Sequence, residues 1–309
     1  MSPLKLLAAL LSLAPAIEAL IPSPPPGFTL TWADDFAGPA RSLPNPANWL
    51  MTTGTQYPGG APNFGTGEIQ TYTSSPENVA LSGNGSLAIT PLRNGTAWTS
   101  ARIETRRTDF MAQEGGKMRI EGSIALPDVT GDAALGYWPA FWTLGDAFRG
   151  VFTNWPIVGE FDILENVNGL NRAWGTLHCD VLPGGKCNEP TGISANTSCG
   201  LGTTCQGNFH TYAIVVDRSA TPEKMTWEVD GKTHHIVEEP QLGPEIWAQT
   251  VHHGHFILLN LAIGGGFPNS VQGSPTPVEA TVPGVPLRVE YVAVYNSAYP
   301  VSGYEQEYR

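Results

Sequence analysis

Short runs of β-prone residues, separated by Gly, Pro, Asn and Asp, recur along most of the chain. Such runs between turn-forming residues are typical of β-strands, whereas amphipathic helices repeat their apolar positions every three or four residues. We therefore predict strands in segments 28–36, 86–90, 100–106, 116–126, 211–217, 225–231, 255–265 and 287–295.

The apolar pattern differs between these runs and predicts how each strand is buried. Residues 116–126 and 225–231 alternate between apolar and polar positions, which indicates strands with one face in water. Residues 256–263 are almost continuously apolar and fit a strand that is buried on both faces. Helical periodicity is nearly absent, with a single helical turn predicted at residues 244–249. The pattern as a whole predicts an all-β sandwich of two sheets.

The two ends of the chain differ in composition from this middle. Residues 1–19 contain one lysine, an apolar stretch and small residues near the end, which predicts a secretory signal peptide. A membrane anchor is the alternative, but the apolar run is shorter than the ~20 residues that span a bilayer. We interpret segment 20–27 as a proline-rich lead-in, 28–298 as the folded domain and 299–309 as a polar tail. The protein is therefore predicted to be secreted, to the extracellular space or the cell wall.

The charge balance narrows the class of partner. The formal net charge is −12 with only 16 Lys and Arg residues, so the clustered cations that bind nucleic-acid phosphates are lacking. We expect a monomer that binds neither nucleic acid nor membrane, and a neutral polymer suits this chain better as a partner.

All four cysteines, Cys179, Cys187, Cys199 and Cys205, lie in one short window. In an exported protein this predicts two disulfides in one long loop, with all three pairings open. Zinc binding is the competing interpretation, but the spacings are not those of zinc motifs. Three glycosylation sequons begin at Asn84, Asn94 and Asn196.

Three acids interrupt an otherwise apolar, β-prone stretch: Glu160, Asp162 and Glu165. On a regular strand, residues two apart share a face, so Glu160 and Asp162 point the same way and Glu165 points the other way. One β-bulge within Ile163–Leu164 would return Glu165 to the shared face and align the three carboxyl groups. We predict that this row of acids lines a groove.

Such a row suits retaining glycoside hydrolysis. That reaction needs one carboxylate as nucleophile and one protonated carboxyl group ~5–5.5 Å away as acid. Crowded carboxyl groups cannot all ionise easily, so we expect a raised pKa on Glu165. A solvated acidic strand face or a calcium site is the alternative, but aromatic residues, which stack on sugar rings, surround the acids in sequence. These residues are Tyr137, Trp138, Phe141, Trp142, Trp155 and Trp174.

The motif EFDILE, residues 160–165, resembles the E-x-D-x-x-E pattern of glycoside hydrolase family 16, in particular its laminarinase-type, fungal-like members. The resemblance extends from about residue 28 to 295 and implies a β-jelly roll of two curved antiparallel sheets, concanavalin A-like, with a concave substrate groove. Segments that resemble the family in the same order include 67–73, 78–91, 136–146, 209–217, 227–232, 256–268 and 287–295.

The resemblance also implies roles for individual residues. Glu160 matches the nucleophile, Glu165 the acid/base, and Asp162 the residue that tunes the nucleophile. Trp142 and Trp155 match sugar-stacking positions, His178 matches a histidine beside the acid/base on the neighbouring strand, and Trp138 joins this substrate-binding set.

The implied activity is that of a retaining endo-β-glucanase acting on β-1,3 or mixed β-1,3/1,4 glucan. A cell-wall transglycosylase or a galactan-active hydrolase would use the same residues, and a non-catalytic glucan-binding protein would keep only the groove. No cofactor and no catalytic metal are expected. Glu290 replaces an aspartate that often contributes to a structural calcium site in the family, which argues against calcium there.

Overall fold

Two antiparallel β-sheets stack face to face in the structure, a computed structural model that describes residues 21–200 and 202–297. The predicted all-β sandwich is thereby confirmed. The signal peptide predicted at 1–19 and the tail predicted at 299–309 lie outside the described residues.

The described residues contain eighteen strands, three helices and three short 3-10 turns, connected by loops. The strands are β1 (Phe28–Asp34), β2 (Trp49–Thr52), β3 (Thr71–Tyr72), β4 (Val79–Leu81), β5 (Leu87–Ile89), β6 (Leu92–Asn94), β7 (Ala97–Ser100), β8 (Arg102–Thr105), β9 (Lys117–Ala125), β10 (Tyr137–Gly145), β11 (Glu160–Glu165), β12 (Ala173–His178), β13 (Ile193–Thr197), β14 (His210–Asp217), β15 (Lys224–Val229), β16 (Lys232–Glu238), β17 (His255–Ile263) and β18 (Leu287–Ser297). The helices are α1 (Glu239–Leu242), α2 (Pro244–Val251) and α3 (Gly266–Gln272).

The strand order separates the two layers. The groove sheet has seven strands in the order β13-β12-β11-β10-β17-β8-β2. The outer sheet has the order β16-β15-β14-β9-β18-β5-β4, and β1 also pairs with β18. A small third sheet, β3-β7-β6, is hydrogen-bonded separately, and its strand β7 contacts β17 of the groove sheet. The acids predicted at 160–165 therefore sit on an interior strand of the groove sheet, fixed by a neighbour on each side.

The outer sheet also contacts β11 across the sandwich, through a hydrogen bond to its backbone. Trp227 of β15 is fully buried, and its Nε1 donates a hydrogen bond of 2.8 Å to the backbone oxygen of Asp162. Glycine at position 175 of β12 permits this approach, because a Cβ there would lie 2.5 Å from Trp227 Cδ1. The tryptophan thus ties the backbone of the acidic strand to the opposite layer.

Burial follows the predicted pattern in some strands and not in others. β15 alternates as expected, and every residue of β17 is buried. The one-face-wet prediction for 116–126 is wrong beyond its first residues, because β9 is buried from Ile120 to Ala125. Glu121 points away from the core but is covered by the guanidinium of Arg119 at 2.6 Å and by the Tyr291 hydroxyl at 2.7 Å.

The two predicted disulfides are present and their pairing is local. Cys179 bonds to Cys187, and Cys199 bonds to Cys205. Each bridge therefore closes a short loop, and no described cysteine in residues 21–200 and 202–297 is free. All four cysteine side chains are buried.

Two surface observations bear on the setting of the protein. The sequon asparagines Asn84, Asn94 and Asn196 are all exposed, and their glycosylation stays a prediction. Over residues 21–200 and 202–297, none of the helices has the length and apolar character needed to cross a membrane.

Candidate active site

Strand β11 carries a β-bulge at 163–164, as predicted. Asp162 pairs with Thr176 of β12 and Glu165 pairs with Trp174, so two residues of β11 oppose one residue of β12. The same irregularity interrupts the pairing of β11 with β10. The extra residue turns Glu165 to the face that Asp162 and the first residue of the strand share.

A cavity of about 440 Å³ opens on this face of the groove sheet. Glu160 and Glu165 both line it, while Asp162, only 3% exposed, lies buried between them. The cavity is rich in rings, in keeping with a surface for stacking sugars. Its aromatic residues are Tyr57, Phe64, Trp138, Trp142, Phe148, Phe152 and Trp155.

Each of the two glutamates is oriented by an indole. Trp155 Nε1 donates to Glu160 Oε2 at 3.1 Å, and Trp138 Nε1 donates to Glu165 Oε1 at 2.8 Å. Two of the predicted substrate-binding tryptophans therefore contact the acids directly, in addition to lining the cavity. Each donated hydrogen bond holds one oxygen of the carboxyl group that it contacts.

His178 lies opposite Glu160 and not beside Glu165, where the resemblance had placed it. The two residues pair across β11 and β12, and His178 Nε2 is 4.0 Å from Glu160 Oε1. The same nitrogen is 3.3 Å from Asp162 Oδ2. His178 Nδ1 faces a third carboxylate, Glu189 Oε2, at 2.7 Å.

Burial dominates the ionisation of the site. It raises the pKa of Glu165 to about 8, with repulsion from Asp162 adding to the effect. Burial and the Asp162 charge also raise the pKa of Glu160, which His178 partly offsets. Burial alone would lower the pKa of His178, but its contacts with Asp162 and Glu189 raise it well above its usual range. The site thus combines a protonated Glu165 with a charged imidazole at neutral pH.

Trp142 forms a platform that is anchored from two sides. Its Nε1 donates to Asn260 Oδ1 of β17 at 2.7 Å. Beneath its ring, the Arg102 guanidinium carbon lies 4.7 Å from the ring centroid and 4.9 Å from those of Tyr57 and Phe64. This cation–π stack fixes the platform at one end of the cavity.

Sequence reasoning missed several residues that line the cavity. Asn260 had a usable signal, because it is the one polar residue in the apolar run 256–263. Arg102 stands in a strand, and its near-complete burial could not be inferred from alternation. Phe152 and Leu182 reach the cavity from separate loops, so no local pattern marks them.

Three residues, His178 among them, bring polar atoms close enough together to resemble a metal site. Glu160, Asp162 and His178 each bring one such atom within 4.8 Å of the others, a grouping of metal-ligand type. Both ring nitrogens of the histidine already face carboxylates, so we interpret the group as a hydrogen-bonded network and not as a metal centre.

Glu290, the residue that replaces the aspartate of the family's calcium site, lies on the outer sheet, where it accepts a hydrogen bond from the Ser123 hydroxyl at 2.6 Å.

Two glutamates that share one face of a sandwich sheet, in a cavity walled by tryptophans, define a glycoside hydrolase. Comparison with known proteins agrees. A family model described as "XgeA-like, catalytic GH16 domain" matches residues 123–219. The beta-glucanase of Rhodothermus marinus is 30% identical over 278 residues, which cover 87% of this chain and 86% of that protein. The chain belongs to glycoside hydrolase family 16.

Two further relatives place the chain within the family. The crystal structure of an endo-1,3-beta-glucanase from Streptomyces sioyaensis superposes with a TM-score of 0.88 at 52% identity, covering 90% of this chain and 100% of that one. The glucan endo-1,3-beta-glucosidase A1 of Niallia circulans is 27% identical over 291 residues, 87% of this chain but only 38% of that protein. The laminarinase-type resemblance is confirmed, whereas the expected likeness to fungal members is not borne out by these sources.

Proposed function

We propose that the protein hydrolyses β-1,3 or mixed β-1,3/1,4 glucan internally and with retention of anomeric configuration. The observation that carries the proposal is the placement of Glu160 and Glu165 on one face of the cavity by the β-bulge. The names of the relatives support the substrate class: one is a beta-glucanase, and two are named for endo action on 1,3-beta-glucan. The two disulfides support export to an oxidising compartment.

The proposed reaction has two displacements. In the first, Glu165 donates its proton to the glycosidic oxygen while Glu160 attacks the anomeric carbon, so the C–O bond breaks and a glycosyl-enzyme ester forms. In the second, Glu165 removes a proton from water, which attacks the same carbon and releases Glu160. Two inversions at one carbon give net retention.

The electrostatics of the site suit these roles. An acid with a pKa of about 8 keeps its proton at neutral pH, as the leaving oxygen requires. Glu160 must instead be ionised to attack, although burial and the Asp162 charge raise its pKa; the Trp155 N–H and the His178 ring on its two sides oppose that rise and favour the carboxylate. Asp162 lies between the glutamates and pairs with the same histidine.

The first test is an assay of the purified protein on laminarin and mixed-linkage barley β-glucan, with xyloglucan, galactan and agarose in parallel. We expect short β-glucan oligomers from the first two, and proton NMR of early products should show the β-anomer. Products longer than the substrate would indicate a transglycosylase. Release only from galactan or agarose would show that the substrate is a galactan and not a β-glucan. Glucan binding without any release would overturn the proposal in favour of a binding protein.

Trp142 provides a test of substrate binding that leaves the acids untouched. We expect Trp142→Ala to raise KM for laminarin about tenfold, or about 1.4 kcal/mol, with a much smaller change in kcat, because it removes a stacking surface. Trp142→Phe is the matched control, since it keeps a ring over Arg102 but loses the bond to Asn260. Equal effects of both variants would show that the hydrogen bond matters and that stacking does not.

A further inference from the structure

Glu189 is a buried acid that does not line the cavity. Its side chain has no exposed surface, and both of its oxygens are used inside the protein. Oε2 lies 2.7 Å from His178 Nδ1, and Oε1 accepts the backbone N–H of Cys179 at 2.9 Å. A buried carboxylate is costly unless it is paired with a cation, so this position calls for a charged partner. His178 is the cationic candidate in contact with it.

The other nitrogen of His178 faces the acids of β11. Nε2 lies 3.3 Å from Asp162 Oδ2 and 4.0 Å from Glu160 Oε1. Asp162 Oδ2 is fully buried and makes no regular hydrogen bond within the described part of the chain. An imidazole can donate to carboxylates at both nitrogens only when both carry a proton, which is the imidazolium form.

The backbone holds Glu189 in place independently of the acids. Glu189 and Gly184 exchange two backbone hydrogen bonds, of 2.8 and 2.6 Å, in the loop between β12 and β13, which the Cys179–Cys187 disulfide crosslinks just before Glu189. Gly192 leaves room for the imidazole, because a Cβ there would lie 2.9 Å from His178 Cε1. The loop therefore presents a fixed carboxylate to the rear of the histidine.

We propose that Glu189 is a positioning residue that holds His178 as an imidazolium aimed at Asp162 and Glu160. The charge lowers the pKa of Glu160 against the effects of burial and of Asp162, and so favours an ionised nucleophile while Glu165 retains its proton, a division that the proposed double displacement requires. The inference rests on the proposed function for its kinetic consequences, but not for the protonation state of the histidine. The raised pKa of His178 agrees with it.

The groups around the imidazole set the direction of the expected change. Glu160 and Asp162 face it from β11, Glu189 faces it from the loop, and Glu165 acts on it from farther along β11. Trp155 covers it with its ring centroid 5.6 Å away and carries no charge. Removal of the Glu189 charge leaves the imidazolium less stabilised, so the pKa of His178 falls. Loss of that cation then raises the pKa of Glu160. Removal of the Glu189 charge also relieves a direct repulsion on Glu160, but that repulsion acts less strongly than the histidine does, so the net change is upward wherever His178 has lost its proton.

The test is Glu189→Gln, which keeps the size of the side chain and can still accept one of its two hydrogen bonds. We expect the acidic limb of the kcat/KM profile on laminarin to move up by about one pH unit, with kcat/KM near the lower edge reduced about tenfold and KM nearly unchanged. Asp180→Asn is the matched control, an acid-to-amide change in the same loop at a residue whose side chain, among the described residues, accepts only the Lys186 N–H.

Nitrogen-15 NMR of the histidine rings tests the proposal without any substrate. The signal absent from His178→Gln identifies His178, and in the wild type both of its nitrogens should be protonated at pH 7. In Glu189→Gln the titration of that signal should move to lower pH. A neutral His178 in the wild type would overturn the proposal even if Glu189→Gln failed to fold. So would an unmoved titration in the folded variant, or an equal kinetic effect of Asp180→Asn. A charged His178 in a protein without glucanase activity would leave the inference standing and sink the proposed function instead.

Discussion

Glu160→Gln is expected to lower kcat/KM on laminarin by at least about 10⁴-fold while the protein stays folded. Glutamine occupies the same volume and can still accept a hydrogen bond from the Trp155 indole, but it cannot form the glycosyl ester on which the first displacement depends. Reducing-sugar release and the thermal unfolding midpoint, measured on the same preparation, check the two halves of this statement.

Glu290→Gln is the matched control for this loss, because it makes the same change on the outer sheet, where Glu290 contacts only Ser123 among the hydrogen bonds of the described residues. Azide added to Glu160→Ala supplies a replacement nucleophile. Attack from the face that Glu160 occupies should give a glycosyl azide of inverted configuration when an aryl glucoside with a good leaving group is the donor. An azide product of retained configuration would assign the nucleophile to another residue.

Glu165→Gln should show a loss that depends on the leaving group. On laminarin, whose leaving alkoxide must be protonated, we expect kcat/KM to fall by about 10²–10⁴-fold. On a dinitrophenyl glycoside, whose leaving group needs no proton, the rate of glycosyl-enzyme formation should fall by less than about tenfold. Stopped-flow release of dinitrophenol measures this step directly.

The pH profile provides the second half of the same prediction. Because the protonated form of Glu165 is the active one and burial raises its pKa to about 8, wild-type kcat/KM should fall as the pH rises through about 8. The basic limb should be absent from the profile of Glu165→Gln with the dinitrophenyl substrate. A basic limb that persists there at the same pH would assign it to a different group.

The central geometry of the site could be predicted because it depends on one strand. The period-two rule separates Glu165 from its two companions, and a single bulge at Ile163–Leu164 is the smallest change that reunites them. The structure shows that bulge. The aromatic residues of β10 were predicted from their proximity in sequence to the acids and from the family resemblance, and Trp138 and Trp142 do line the cavity.

The rest of the site depends on contacts between segments that are distant in sequence. Arg102 stacks under Trp142 because β8 and β10 both pair with β17, a strand order that no local pattern reveals. Glu189 reaches His178 from the β12–β13 loop, which the Cys179–Cys187 disulfide crosslinks, and the sequence left all three cysteine pairings open. The prediction that Glu121 faces water was wrong for the same reason. One of the residues that cover it, Tyr291, belongs to a strand 170 positions away in sequence.

The bulge in β11 also has a genetic meaning. Pairing with β12 is regular on one side, where Glu160 lies opposite His178, and resumes on the other, where Glu165 lies opposite Trp174. The extra residue is therefore confined to one point, and loss of the Ile163 codon would leave both flanking pairs available. In this chain, one in-frame deletion of three nucleotides would convert the E-x-D-x-x-E motif to an E-x-D-x-E spacing. The two spacings are thus one mutational event apart, although each gives the backbone between the acids a different path.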